Sequence, residues 1–182
     1  MLLLGCKPLQ RNTEQHDVFF GIGYELKDLL PDIYSFWPEA KQKIHIDAWR
    51  EVTEVDKYTV SIVPFEPTGT GGIMDAAKLF FINLGGYKRG EFEEFHYKML
   101  VAAADKGVAI QRAKQTAFYR HTGFKGATSH IDDKYGIDVD DIYEIADILP
   151  AAIKEKYAIR LSPAGDSNAD ELVLGYTKLD KL

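Results

Sequence analysis

Apolar residues in this chain fall into short runs separated by glycine, proline and charge. Leu2-Leu3-Leu4 is stopped by Gly5, the pattern of a buried strand, and residues 78–84 repeat it before Gly85 and Gly86. Val18, Phe19, Ile22, Leu26, Leu29 and Leu30 fit one helical stripe, so a helix is predicted over 13–30. Asn12 or Thr13 would cap it, and Pro31 follows its end. A second helix is predicted over 92–106, ended or interrupted by Gly107, and a third over 108–120. Residues 43–55 and 58–63 read as a hairpin, with 142–148 and 157–161 as its counterpart. Ile142, Ile145, Ile148 and Leu149 would also suit a helix. Leu172 to Tyr176 reads as one more strand.

The two halves of this list resemble each other. Leu4-Gly5, Glu14 and His16 match Leu84-Gly85, Glu94 and His96 at a constant separation of 80 residues. His45-Ile46-Asp47 matches His130-Ile131-Asp132 at 85. Glu51–Val55 matches Glu144–Ile148 at 93, and Tyr58–Pro64 matches Tyr157–Pro163 at 99. The separations only grow, as loop insertions of five, eight and six residues in a second copy would make them. The predicted fold is α+β: a tandem duplicated β-α-β-β repeat with a mixed or antiparallel sheet and helices on one side. Residues 1–64 form the first repeat, 65–77 a Pro/Gly-rich linker, 78–163 the second repeat, and 164–182 a C-terminal loop and strand. The final strand allows the two units to share strands.

Composition narrows the function classes. With 46% apolar and 27% charged residues the chain is ordinary for a globular protein. A net charge of −6 and no basic run argue against nucleic acid as a partner. The single cysteine, Cys6, permits neither an internal disulfide nor a Cys-x-x-Cys zinc motif, which favours the cytoplasm. The opening apolar run lacks a basic flank and is too short for a signal peptide. No run reaches the roughly 20 apolar residues of a membrane span, so no membrane partner is expected.

The candidate chemistry lies at positions that occur twice. On a strand, His45 and Asp47 share a face, as do His130 and Asp132. Such a pair can hydrogen-bond as structure, contribute metal ligands, or act as an oriented general base. Glu14 with His16, and Glu94 with His96, would sit in the first turns of the predicted helices. Residues two apart point away from each other there and cannot grip one ion together. The glutamates would complement the helix dipole. Histidines are harder to place at a helix N-terminus, unless His45 and His130 pair with these helices. His121 has no counterpart and reads as a surface-loop residue. The Leu84-to-Gly90 turn matches no nucleotide-binding motif, and Glu91, Glu93 and Glu94 behind it would repel phosphate. Asp132, Asp133, Asp138, Asp140 and Asp141 do not follow calcium-loop spacing and read as a solvated turn. Trp37, Pro38 and Phe65 are candidates for a groove or a dimer contact.

Four segments carry a family resemblance: Glu14-Gln15-His16-Asp17-Val18-Phe19-Phe20, Phe36-Trp37-Pro38-Glu39-Ala40, His45-Ile46-Asp47-Ala48-Trp49-Arg50, and Ser129 to Asp138 with its His130-Ile131-Asp132-Asp133. The chain resembles a two-copy member of the bacterial family called domain of unknown function 1543, over nearly all of residues 1–163. The resemblance implies a bacterial source and carries over no catalytic residues, cofactor or metal. The residues favour a small-molecule or partner-binding protein. One alternative is an enzyme using the His/Asp pairs, with or without a metal; another is a purely structural interaction protein. A homodimer is expected, formed through the edge strands at 2–5 and 172–176 or through exposed aromatics.

Overall fold

A computed structural model of the protein describes residues 1–40, 43–67, 77–87, 90–115, 137–165 and 169–182. In chain order its first half contains β1 (Leu2–Cys6), β2 (Gln15–Phe19), α1 (Leu30–Phe36), β3 (His45–Trp49), β4 (Glu54–Val55) and β5 (Tyr58–Pro64). The second half contains β6 (Lys78–Tyr87), β7 (Glu94–Ala103), α2 (Lys106–Ala113), β8 (Ile137–Glu144), α3 (Ile145–Ile148), α4 (Ala151–Lys154), β9 (Tyr157–Pro163) and β10 (Val173–Lys178). The fold is α+β, and its strands form three sheets ordered β10-β3-β1-β2, β4-β5-β9 and β7-β6-β8. Every strand pairing in them is antiparallel.

Both long predicted helices are replaced by strands where the apolar pattern looked helical. Residues 13–30 contain β2, a single 3-10 turn forms at Leu26–Leu29, and the α-helix begins only at Leu30, with Pro31 in its first turn rather than beyond its end. The reason is visible in the burial of three successive residues. Val18 and Phe20 enter one core and Phe19 another, which is the two-residue period of a strand between two apolar layers. Residues 92–106 contain β7, paired with β6 along its whole length. Among the described residues, each half therefore opens strand–strand–helix–strand, not β-α-β-β. Gly107 does not end a helix. It lies in the first turn of α2, which Asp105 caps by accepting the Val108 N–H at 2.9 Å. The first predicted hairpin survives only at its tip, where β4 pairs with β5; β3 joins β1 instead, residues 145–148 are helical, and β9 pairs with β5.

Two features of register position the sites. In the first sheet Gly5 stands between His16 on β2 and His45 on β3; in the other, Gly85 stands between His96 on β7 and Asp138 on β8. Each third strand also carries one residue more than its partner. The ladder shifts between Leu3 and Leu4, leaving Asp47 unmatched, and between Asn83 and Leu84, leaving Asp140 unmatched. A bulge of this kind re-aims the extra side chain. The place of His45-Ile46-Asp47 is thus held in the other sheet by Asp138-Val139-Asp140. His130-Ile131-Asp132, the segment matched to it by sequence, lies outside the described residues.

Three apolar cores hold these layers. α1 packs Ile33 on Leu2, Leu4, Cys6 and Ile46, and α2 packs Ala109 and Ala113 on Phe80, Ile82 and Leu84. The third core joins the halves: Val18 and Phe20 meet Leu79, Phe81, Leu100 and Ala102, with the Phe20 and Phe81 rings edge-on at 5.5 Å. The halves are tied again by β5 and β9, whose ladder runs from Tyr58 opposite Pro163 to Pro64 opposite Tyr157. β10, from the end of the chain, joins the first sheet at its edge and exposes Leu174 and Tyr176.

The turn between β4 and β5 is Asp56-Lys57, both with positive φ (51° and 67°). Two-residue hairpins favour this twist, but a side chain there is strained. The Asp56 carboxylate accepts the Ala102 N–H at 2.9 Å, and the Lys57 carbonyl accepts that of Ala164 at 2.8 Å. Lys57→Gly keeps the backbone bond and relieves the strain. Urea denaturation is expected to show a gain of about 0.5–1 kcal/mol; a loss of stability would contradict this account of the turn.

Candidate metal centres

His16 lies on β2 and Glu14 one residue before it, so no helix turns the two side chains apart, and both reach the same neighbours. From β3, His45 and the bulged Asp47 meet them. His45 Nε2 lies 3.0 Å from Glu14 Oε1 and 3.3 Å from Asp47 Oδ1. His16 Nε2 lies 3.3 Å from Asp47 Oδ2 and 3.8 Å from Glu14 Oε2. Each imidazole thus faces both carboxylates. His45 is buried, at 7% exposure, and the Tyr176 ring from β10 covers it with a centroid separation of 4.4 Å. Asp47 Oδ2 is buried, lies 3.3 Å from His16 Nε2 and accepts no hydrogen bond among the described residues.

Gly5 makes room for the cluster. A Cβ on Gly5 would lie 2.3 Å from His45 Nε2 and 2.5 Å from Asp47 Oδ2. The neighbouring Cys6 belongs to the core on the other face of the sheet, and burial, then the Glu14 charge, push its thiol up from its ordinary value.

The second sheet builds a related arrangement over Gly85. Glu94, His96 and Asp140 each offer a donor atom, and these atoms lie within 4.8 Å of one another. His96 Nε2 is 3.3 Å from Asp140 Oδ2, and a Cβ on Gly85 would lie 2.3 Å from that oxygen. All three residues are solvent-exposed. Partial desolvation, then the Glu94 carboxylate to which it hydrogen-bonds, pushes the Tyr87 phenol up. Chemically, both clusters mix imidazole nitrogen with carboxylate oxygen, the donor set of zinc, manganese and related divalent ions.

Of the residues singled out by sequence, Glu14, His16, His45 and Asp47 converge, and Glu94 and His96 converge separately. His130, Asp132 and His121 lie outside the described residues. Sequence reasoning missed Asp140 as a site residue, reading it as part of a solvated turn, and missed Gly5, Gly85 and Tyr176. The Leu-Gly match between positions 4–5 and 84–85 was a signal for the glycines. Asp140 lies 93 residues after Asp47, the separation read from the next matched segment. The glycine-rich stretch from Leu84 is not a strand-to-helix turn, because Gly85 and Gly86 are inside β6. Away from both clusters is a cleft of about 470 Å³ whose walls include Phe20, Ile22, Trp49, Val60, Leu79 and Ile159.

Antiparallel three- and four-stranded sheets with short helices define the class of fold. The structure of a protein Il1583 from Idiomarina loihiensis shares it, with a TM-score of 0.64 at 19% identity over 98% of this chain and 94% of that one. The family described as Domain of Unknown Function (DUF1543) matches residues 11–62, the segment that carries Glu14, His16, His45 and Asp47, and so supports the family resemblance. None of the curated proteins matches the chain. Among the described residues, no helix is long and apolar enough to cross a membrane.

Proposed function

We propose that this protein binds divalent metal ions at two related sites, and that the sheets carrying them are copies of one strand–strand–helix–strand unit. One observation carries the reading. Glu94, His96 and Asp140 bring donor atoms within 4.8 Å of one another, and in the other half His16 and Asp47 stand at the matching places in the sheet, with Glu14 one residue before β2. Each cluster sets two carboxylates beside imidazole nitrogen, a donor set that a divalent cation complements. A purely structural ion-pair role would not require both bulged aspartates to stand over a glycine.

Calorimetric titration of chelator-stripped protein with Zn²⁺, Co²⁺ and Mn²⁺ tests the reading. Two equivalents of ion are expected to bind, and the double variant His16→Ala/His96→Ala is expected to retain neither. Wild-type protein that takes up no ion, or a double variant that binds as wild type, would refute it.

A further inference from the structure

Resting on that reading, we infer that the two sites take different ions: a borderline transition ion such as Zn²⁺ or Co²⁺ at Glu14/His16/His45/Asp47, and a harder ion such as Mn²⁺ at Glu94/His96/Asp140. The division follows from what stands on the third strand opposite each glycine. Opposite Gly5 it is His45; opposite Gly85 it is Asp138. Among the described residues, the first site therefore has two imidazole nitrogens among its donors, and the second has one. Nitrogen-rich sites suit zinc and cobalt, and oxygen-rich sites suit manganese and magnesium.

Solvent access points the same way. His45 is 7% exposed and lies under the Tyr176 ring, so its nitrogen is held in place before an ion arrives. Tyr176 reaches it because β10 breaks register against β3 between Leu174 and Thr177, at Gly175, whose φ is +132°. The second trio is exposed throughout. A hard ion that keeps several waters is suited to such an open site.

The decisive variant is His45→Asp, which gives β3 the residue type that β8 carries at the matching place. Co²⁺ binding is read from its visible absorption, and Mn²⁺ binding from its paramagnetic resonance signal. In the wild type, Co²⁺ should fill the first site before the second, and Mn²⁺ the second before the first. Outer partners of metal ligands are worth 10–100-fold in affinity, so His45→Asp should weaken Co²⁺ at the first site by about 100-fold or more. It should leave Mn²⁺ at the second site unchanged. His96→Ala should do the reverse, losing Mn²⁺ and keeping Co²⁺. Circular dichroism of each variant separates a lost ligand from a lost fold, and His45→Gln repeats the test without an added charge. Equal Co²⁺ affinity in wild type and both His45 variants would overturn the inference while leaving metal binding intact. Failure of Mn²⁺ alone to bind the wild type would also overturn the inference, and failure of both ions would overturn the metal reading itself.

Discussion

Gly5→Ala is expected to abolish ion binding at the first site, weakening it at least about 100-fold, while the second site binds as before. The added Cβ would sit 2.3 Å from His45 Nε2 and 2.5 Å from Asp47 Oδ2, inside the contact distance of both donor atoms. Both side chains would have to turn away, so a substitution that removes no ligand would dismantle the site. Gly5 is within β1 and needs no positive φ, so alanine fits the backbone. The cost to folding is that of displacing buried side chains, about 1–3 kcal/mol. Gly85→Ala is the mirror experiment, because its Cβ would meet Asp140 Oδ2 at 2.3 Å. Titrating each variant with Zn²⁺ and Mn²⁺ checks the pair; undiminished binding in both would contradict the placement of the donors.

Phe81→Ala is expected to lower stability by about 3–5 kcal/mol. Phe81 is 7% exposed in the core that joins the halves, and its ring meets Phe20. Both tryptophans, Trp37 and Trp49, lie in the first half, so their fluorescence reports unfolding there. If the shared core and the β5–β9 ladder make one cooperative unit, this second-half substitution must move the tryptophan transition as far as the circular-dichroism transition. A tryptophan midpoint that stays at the wild-type denaturant concentration would mean that the halves unfold separately.

The sequence carried the site more clearly than the fold. Glu14 with His16 and Glu94 with His96 could be paired by spacing alone, because a hairpin register set by Gly5 and Gly85 requires the same separation in both halves. The error lay in element type. Val18, Phe19 and Phe20 are all apolar because the strand is covered on both faces, and a run covered on both faces loses the alternation that distinguishes it from a helix. That mistake turned Glu14 and His16 away from each other. The match of His45 to His130 lies outside the described residues, but it hid Asp140: the bulge that presents Asp140 is a backbone feature with no residue signature here, and Asp140 was left in a turn. Tyr176 was not legible at all as a site residue, since it reaches His45 from 131 residues further along the chain.

Anomalous scattering from crystals of the protein soaked in Zn²⁺ tests the central claim most directly. The account predicts one peak bonded to His16 and His45 with Glu14 and Asp47, and a second bonded to His96 with Glu94 and Asp140. Metal–nitrogen distances should be about 2.0–2.1 Å. Crystals that bind zinc only elsewhere on the surface, or show no peak at either cluster, would contradict it.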